Sequence, residues 1–264
     1  MRFLIVLMLL VTQACLAAPA QFAPVVPGMA LVFPTDFGAH PEFKTEWWYV
    51  TGWLKTPAGK PLGFQVTFFR SATGQGRENP SAFAPRQLII GHAALSDPAH
   101  GKLVHDQRSA REGLGLAYSK VGNTDIKLDD WRMVRSSDGS YQVSIVSPEL
   151  TLNLKLAPSQ PLLLQGQAGF SRKAALASHA SYYYSEPHLK VSGQAGRGKA
   201  TPQTVEGSAW LDHEWSSEAL QGDAQGWDWV GANLADGSAL MAFQIRSKQG
   251  GKLWAHATLR DPAG

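Results

Sequence analysis

Glu46-Trp47-Trp48-Tyr49-Val50-Thr51-Gly52-Trp53-Leu54 returns later in the chain as Gly226-Trp227-Asp228-Trp229-Val230-Gly231-Ala232-Asn233-Leu234. Each stretch runs into a turn, Pro57-Ala58-Gly59-Lys60 in the first copy and Ala235-Asp236-Gly237-Ser238 in the second. An apolar run follows each turn and ends in Arg-Ser, at Arg70-Ser71 and at Arg246-Ser247. Trp227 follows Trp47 by 180 residues and Arg246 follows Arg70 by 176. That spacing is too long for a stacked solenoid repeat and fits a duplicated domain.

As a strand, the first copy puts Trp47, Tyr49, Thr51 and Trp53 on one face and Trp48, Val50, Gly52 and Leu54 on the other. Neither face is polar, as one face of a solvent-exposed sheet would be. Either the rings line an internal cavity of a barrel, or they fill the cores of two barrels. Period-two patterns recur at Leu62 to Phe69, Leu88 to Leu95, Tyr141 to Val146, Leu150 to Leu156, His188 to Val191, Val205 to Leu211, Ala239 to Ile245 and Leu253 to Leu259. Turn signals separate many of them, including Ser137-Asp138-Gly139, in a chain with 26 Gly and 16 Pro. Arg172 to Ser178 would make at most one or two turns of helix. Many short strands joined by turns read as all-β barrels or sandwiches.

Met1 to Ala20 has the build of an export signal. Arg2 is followed by the apolar run Phe3 to Val11, too short to cross a bilayer, and Ala18-Pro19-Ala20 fits a cleavage site. This predicts a periplasmic or envelope location. The single cysteine, Cys15, lies in that segment. It is either a small residue of a discarded signal or the lipidated first residue of a membrane-associated lipoprotein. Ala14 fits the second reading; Thr12 and Gln13 do not. With no cysteine pair, the mature chain has neither a disulfide nor a thiolate metal site and must rely on a hydrophobic core. The net charge of +3 over 264 residues comes from scattered Lys and Arg, which argues against a nucleic-acid partner.

The densest group of ionisable residues is Trp210-Leu211-Asp212-His213-Glu214-Trp215. His213 and Trp215 share a strand face with Leu211, while Asp212 and Glu214 share the other with Trp210. His213 suits a proton shuttle, Trp215 offers a π-face to a cation, and either carboxyl suits a general acid. The competing reading is structural: carboxylates paired with arginines and a satisfied core histidine. Asp228, between Trp227 and Trp229, is a candidate acid if the indoles raise its pKa; otherwise it accepts from an indole or pairs with a cation. Asp212 and Glu214, about 7 Å apart along a strand, also have a glycosidase-like spacing. The remaining histidines form no i, i+4 helical pair or His-Glu-x-x-His, so no metal is expected from linear motifs.

Glu46 to Gly52, Ser181-Tyr182-Tyr183-Tyr184-Ser185, Gly207 to Trp215 and Gly226-Trp227-Asp228-Trp229 followed by Ala235-Asp236-Gly237 resemble the AttH-like family. This family includes carotenoid 1,2-hydratase, also called hydroxyneurosporene synthase. The resemblance runs from about Phe33 to Trp254. It implies an all-β fold of tandem lipocalin-like (calycin) antiparallel β-barrels. Residues 21–200 would form the first and 201–264 the start of a second, incomplete in this chain. It also implies a His-x-Trp element at His213 and Trp215, projecting toward an apolar groove. The hydratases protonate an alkene, and water captures the resulting carbocation, with no redox cofactor or metal required. The resemblance leads one to expect a tyrosine and an aspartate on the strand after Ala235-Asp236-Gly237. Here that strand reads Leu240-Met241-Ala242-Phe243-Gln244. That departure favours an exported binder of a hydrophobic small molecule, with Trp47, Tyr49, Trp215, Trp227 and Trp229 at the ligand. The alternative is a cofactor-independent hydratase or isomerase of an isoprenoid-like alkene using Asp212, His213, Glu214 or Asp228.

Overall fold

The computed structural model describes residues 22–75, 78–81, 83–218, 220 and 222–263. The proposed export segment, with Cys15, lies outside them. Its strands are β1 (Thr45–Lys55), β2 (Pro61–Ala72), β3 (Gln87–Asp97), β4 (Lys102–Arg111), β5 (Ala117–Ser119), β6 (Asp125–Leu128), β7 (Trp131–Arg135), β8 (Tyr141–Val146), β9 (Leu150–Ala157), β10 (Leu163–Leu164), β11 (Phe170–Arg172), β12 (Ala180–Arg197), β13 (Gln203–Ser216), β14 (Ala224–Asn233), β15 (Ala239–Ser247) and β16 (Lys252–Arg260). A 3-10 turn at Thr35–Phe37 is the one helical element among the described residues. Arg172 to Ser178 forms no helix: Arg172 ends β11, and bends and a turn follow.

The large sheet is antiparallel, in the order β4-β3-β2-β1-β13-β12-β9-β8-β7-β6-β5, with β10 and β11 also paired to β12. Its two ends curl together, so that β3 and β4 pack against β5 and β6. The result is a nearly closed all-β barrel. β13 is hydrogen-bonded to β1 on one side and β12 on the other, joining the two halves. The change of sheet therefore falls between Ser216 and Ala224, not near residue 200. Without β13, both β1 and β12 would be raw edges with unpaired backbone groups.

Side-chain alternation fills the barrel. Trp48, Phe68, Trp131, Tyr141, Tyr182, Tyr184 and Trp215 are all buried in one apolar cluster. The segment before β1 adds its own rings. Phe33 and Phe37 meet Tyr184 edge-on, and the Phe37 carbonyl accepts from Trp48 Nε1 and Thr124 Oγ1. The ring-rich face of β1 points away from the barrel interior. Trp48, Val50 and Leu54 face inward; Trp47, Tyr49, Thr51 and Trp53 face outward.

β14, β15 and β16 form a separate three-stranded sheet that repeats the β1–β2 hairpin. It packs on the outside of the barrel through the corresponding face. Trp229 meets Tyr49 and Trp210 edge-on at 5.5 and 6.2 Å, and its Nε1 donates to Tyr183 Oη at 3.1 Å. Leu163, Tyr183, Trp210, Ala239 and Met241 close the seam. Asn233 clamps it: its amide donates to Ser208 Oγ and Ala209 O, and its Oδ1 accepts from His188 N.

Gly231 makes the close approach. A Cβ there would stand 2.5 Å from the Trp229 ring and 3.0 Å from Trp210. Gly231→Val should destabilise the protein by about 1–3 kcal/mol through overpacking. Gly222→Val, where an added Cβ meets nothing within 4 Å, is the control. Urea titration checks this, and equal midpoints for the two variants would refute it.

Candidate functional site

The His-x-Trp element lies inside the barrel, in a chain of polar contacts. Glu46 on β1, wholly buried, lies at its centre. Its Oε1 is 2.7 Å from His40 Nδ1 and 2.8 Å from His213 Nε2. Its Oε2 accepts from Arg70 Nε at 2.7 Å and from the His40 backbone N–H at 2.9 Å. His40 Nε2 reaches Asp36 at 3.2 Å, and His213 Nδ1 reaches Tyr184 Oη at 3.0 Å. Arg70 also donates to the carbonyls of His40 and Phe43 and to Gln87 Oε1. The imidazoles are sandwiched: His40 stacks on Trp215 at 3.8 Å, and Trp48 stacks on His213 at 4.5 Å.

Register explains the assembly. Glu46 pairs with Arg70 across the β1–β2 hairpin and with Trp215 across β1–β13; Trp48 pairs with His213. Directly opposed residues share a face, so charges and rings enter the barrel together. Burial works against charge at all three ionisable partners. At His40 the contacts to Asp36 and Glu46 outweigh it and push the imidazole up to about 9. At Glu46, His213 and His40 outweigh it and hold the carboxyl well below the usual range. At His213 burial prevails over Glu46 and pushes the ring down to about 4. His40 is thus a charged donor and His213 a neutral one, which with Arg70 satisfies both carboxylates.

His40, Glu46 and His213 offer donor atoms within 4.8 Å of one another, gathered from three separated segments. Two imidazoles and a carboxylate are a donor set that zinc accepts. Here each donor atom is already engaged: both imidazoles on Glu46, their other nitrogens on Asp36 and Tyr184, and Oε2 on Arg70. The arrangement is that of a closed ion-pair network.

A second group lies on the outer face, under the three-stranded sheet. Asp212 Oδ1 accepts from Ser185 Oγ at 2.5 Å and Trp210 Nε1 at 2.6 Å. Burial pushes its carboxyl up to about 7 against those bonds and one from Tyr183. Glu214 pairs with Lys173 at 2.7 Å, and Lys173 lies over the Trp47 ring. Asp212 and Glu214 therefore share a face, as the alternation predicts, each with its own partners. Asp228 does not sit among indoles. It is half-exposed on the opposite face of β14, accepting from Arg246 at 2.9 Å and Gln244 at 2.8 Å.

Beside the seam is a cleft of about 850 Å³. Trp53, Phe64, Leu103, Trp210 and Leu234 supply its apolar lining, and His188, Gln65, Ser208 and Asn233 its polar groups. No Asp, Glu, Lys or Arg lines it among the described residues. None of the five rings expected at a ligand lines this cleft. Trp215 is in the barrel core; Tyr49 lies along the seam; Trp47 lies under Lys173; Trp227 is exposed. Trp229 instead lines a shallower groove of about 530 Å³ with Phe243 and His256. Alternation places Trp53 and Trp210 on outward faces, but does not show where the two sheets part. Glu46 and Arg70 could have been found as a pair, since each lies 12 residues from Ala58 at the centre of the hairpin connection.

Two measurements test these assignments. Glu46→Gln leaves Arg70 buried without its charge partner and should cost about 3–5 kcal/mol. Asp138→Asn, in an exposed pair with Lys155 and able to keep its Oδ1 contacts to Ser140, should cost far less. The folded-state pKa of Asp212 is raised from 3.8 to about 7, so its contribution is complete below 3.8 and is lost as pH rises to about 7. Asp212→Asn should therefore gain stability relative to wild type between pH 4 and 7 and hold a constant difference above. A constant difference across the whole range would contradict the burial of an acid there.

A family model described as AttH-like matches residues 24–264. The chain is 62% identical to the Nitrosomonas europaea protein NE1406, an AttH candidate with a crystal structure at 2.00 Å. The match covers 92% of this chain and 73% of that one, with a TM-score of 0.84. Kievitone hydratase from Nectria haematococca shares the fold at 10% identity, with a TM-score of 0.64 over 92% of this chain and 69% of its own. No curated protein matches. The repeated tryptophan hairpin, the barrel and these matches together establish that the chain belongs to the AttH-like family, with a lipocalin-like fold.

Proposed function

We propose that this protein binds an uncharged hydrophobic small molecule in the cleft beside the seam. The observation that carries this is the cleft's lining: aromatic and aliphatic side chains without a formal charge, in a volume that fits small-molecule sites. The barrel interior holds many of the protein's own rings, and the cleft is larger than the shallower groove beside Phe243. We further propose export to the periplasm or envelope, on the strength of the Met1 to Ala20 pattern; fractionation with and without that segment tests it.

A second reading is hydration of an isoprenoid-like alkene. Asp212 supports it, since a carboxyl pushed up to about 7 retains a proton near neutrality and is tied to Trp210, which lines the cleft. The fold is also one on which a hydratase is built. Incubation with acyclic carotenoids in heavy-oxygen water should give labelled alcohol under this reading, and Asp212→Asn should abolish it. The binding reading expects none.

For binding, quenching of tryptophan fluorescence by a neutral polyene or fatty alcohol should saturate. Trp210→Ala should weaken it about tenfold, as expected when roughly 1.4 kcal/mol of ring contact is lost. Trp227→Ala, outside the cleft, should leave it unchanged. If both variants bind alike, the ligand sits elsewhere.

A further inference from the structure

His188 occupies an unusual place. β12 carries a bulge between Glu186 and Leu189, where two residues oppose one on β13. Both flanking residues face the barrel interior, and the extra residue turns out toward the cleft. His188 adopts φ 54°, the left-handed region, which costs a side-chain-bearing residue energy unless its surroundings enforce it. Those surroundings are specific: its N–H donates to Asn233 Oδ1, its carbonyl accepts from Ser159 Oγ, and its Nε2 lies 2.9 Å from the Ser238 carbonyl.

A carbonyl only accepts, so Nε2 carries the proton. In that tautomer the lone pair is on Nδ1, which has no protein partner among the described residues. The cleft's other polar groups are partly spent within the protein. Thr51 Oγ1 donates to Phe64 O, and Asn233 gives its amide N–H groups to Ser208 Oγ and Ala209 O; the Ser208 hydroxyl keeps its O–H, and Gln65, which donates to Thr67, keeps one N–H and its oxygen. The nearest acid, Asp236, is engaged by the Ser238 N–H in the turn after β14. His188 differs from these hydroxyl and amide groups in that the function it leaves over is an acceptor alone, held in one tautomer by the Ser238 carbonyl.

We propose that His188 orients the ligand by accepting a hydrogen bond through Nδ1. The ligand is then a hydrophobic molecule bearing a hydroxyl or N–H donor, without a formal charge. This rests on the cleft being the ligand site. The bulge supplies the position, and Ser238 fixes the tautomer.

Matched ligands test it on the full chain: dodecanol, methyl dodecyl ether and dodecanoate, by calorimetry or tryptophan fluorescence. Wild type should bind the alcohol about tenfold tighter than the ether, the worth of one net hydrogen bond. The carboxylate should bind more weakly than the alcohol. In His188→Gly, which suits positive φ, the alcohol should fall to the level of the ether while the ether is unchanged. Equal wild-type affinities for alcohol and ether would overturn the role of His188 but leave the cleft as a ligand site. A preference for the alcohol that survives in folded His188→Gly would do the same. If no ligand binds, the cleft reading fails and this inference with it.

Discussion

A carboxylate taken wholly out of water must be answered by cations and N–H groups, and Glu46 is answered from four directions. Arg70 comes from the neighbouring strand of its hairpin, His213 from β13, and His40 supplies both ring and backbone from the segment ahead of β1. Removing Glu46 leaves buried Arg70 without its charge partner, and removing Arg70 or His40 takes away one of the two cations that answer Glu46, which costs more than the pair contributes. The network therefore acts as a registration device. A strand slipped by one residue would send Glu46 outward and bring Trp47 in. The stacking of His40 on Trp215 and of Trp48 on His213 fits the same geometry, so packing and charge specify one register.

The second copy shows what is preserved when that constraint moves. Gly226 stands where Glu46 stands, and Arg246 corresponds to Arg70. Arg246 pairs instead with Asp228, two residues further along the same face. The duplicated arginine has kept a carboxylate partner, but in water rather than in a core. Asp228 is thus the second copy's counterpart of Glu46 in role, though it aligns with Trp48. The two copies differ less in their charges than in how far those charges are buried.

Much of the barrel could be read from the sequence because alternation is local. Tyr141 to Val146 is recovered with the same limits, and the inward and outward sets of β1 and β13 follow directly from side-chain parity. Short or polar strands such as β4 and β5 were missed, since Lys102 to Arg111 shows little apolar alternation. The site was less legible. Parity shows that Trp47 and Tyr49 share a face, but not that a second sheet covers it. His40 joins Glu46 through a loop with no periodicity, and His188 reaches the cleft through a bulge that interrupts it. Both depend on contacts between distant segments.

Tyr49 of β1 and Trp229 of β14 lie against one another beside Trp210 of β13, so each copy of the motif is part of the other's environment. A substitution in one hairpin changes the surface that the other must fit, and the two halves of the duplication cannot drift independently. Gly231 and Thr51, which occupy equivalent positions, illustrate the point. Reduction to glycine in one copy makes room for the indole that packs against the other. Divergence after the duplication is channelled into paired changes across the seam, and recombination that swapped one hairpin for its twin would lose the complementarity that both now require.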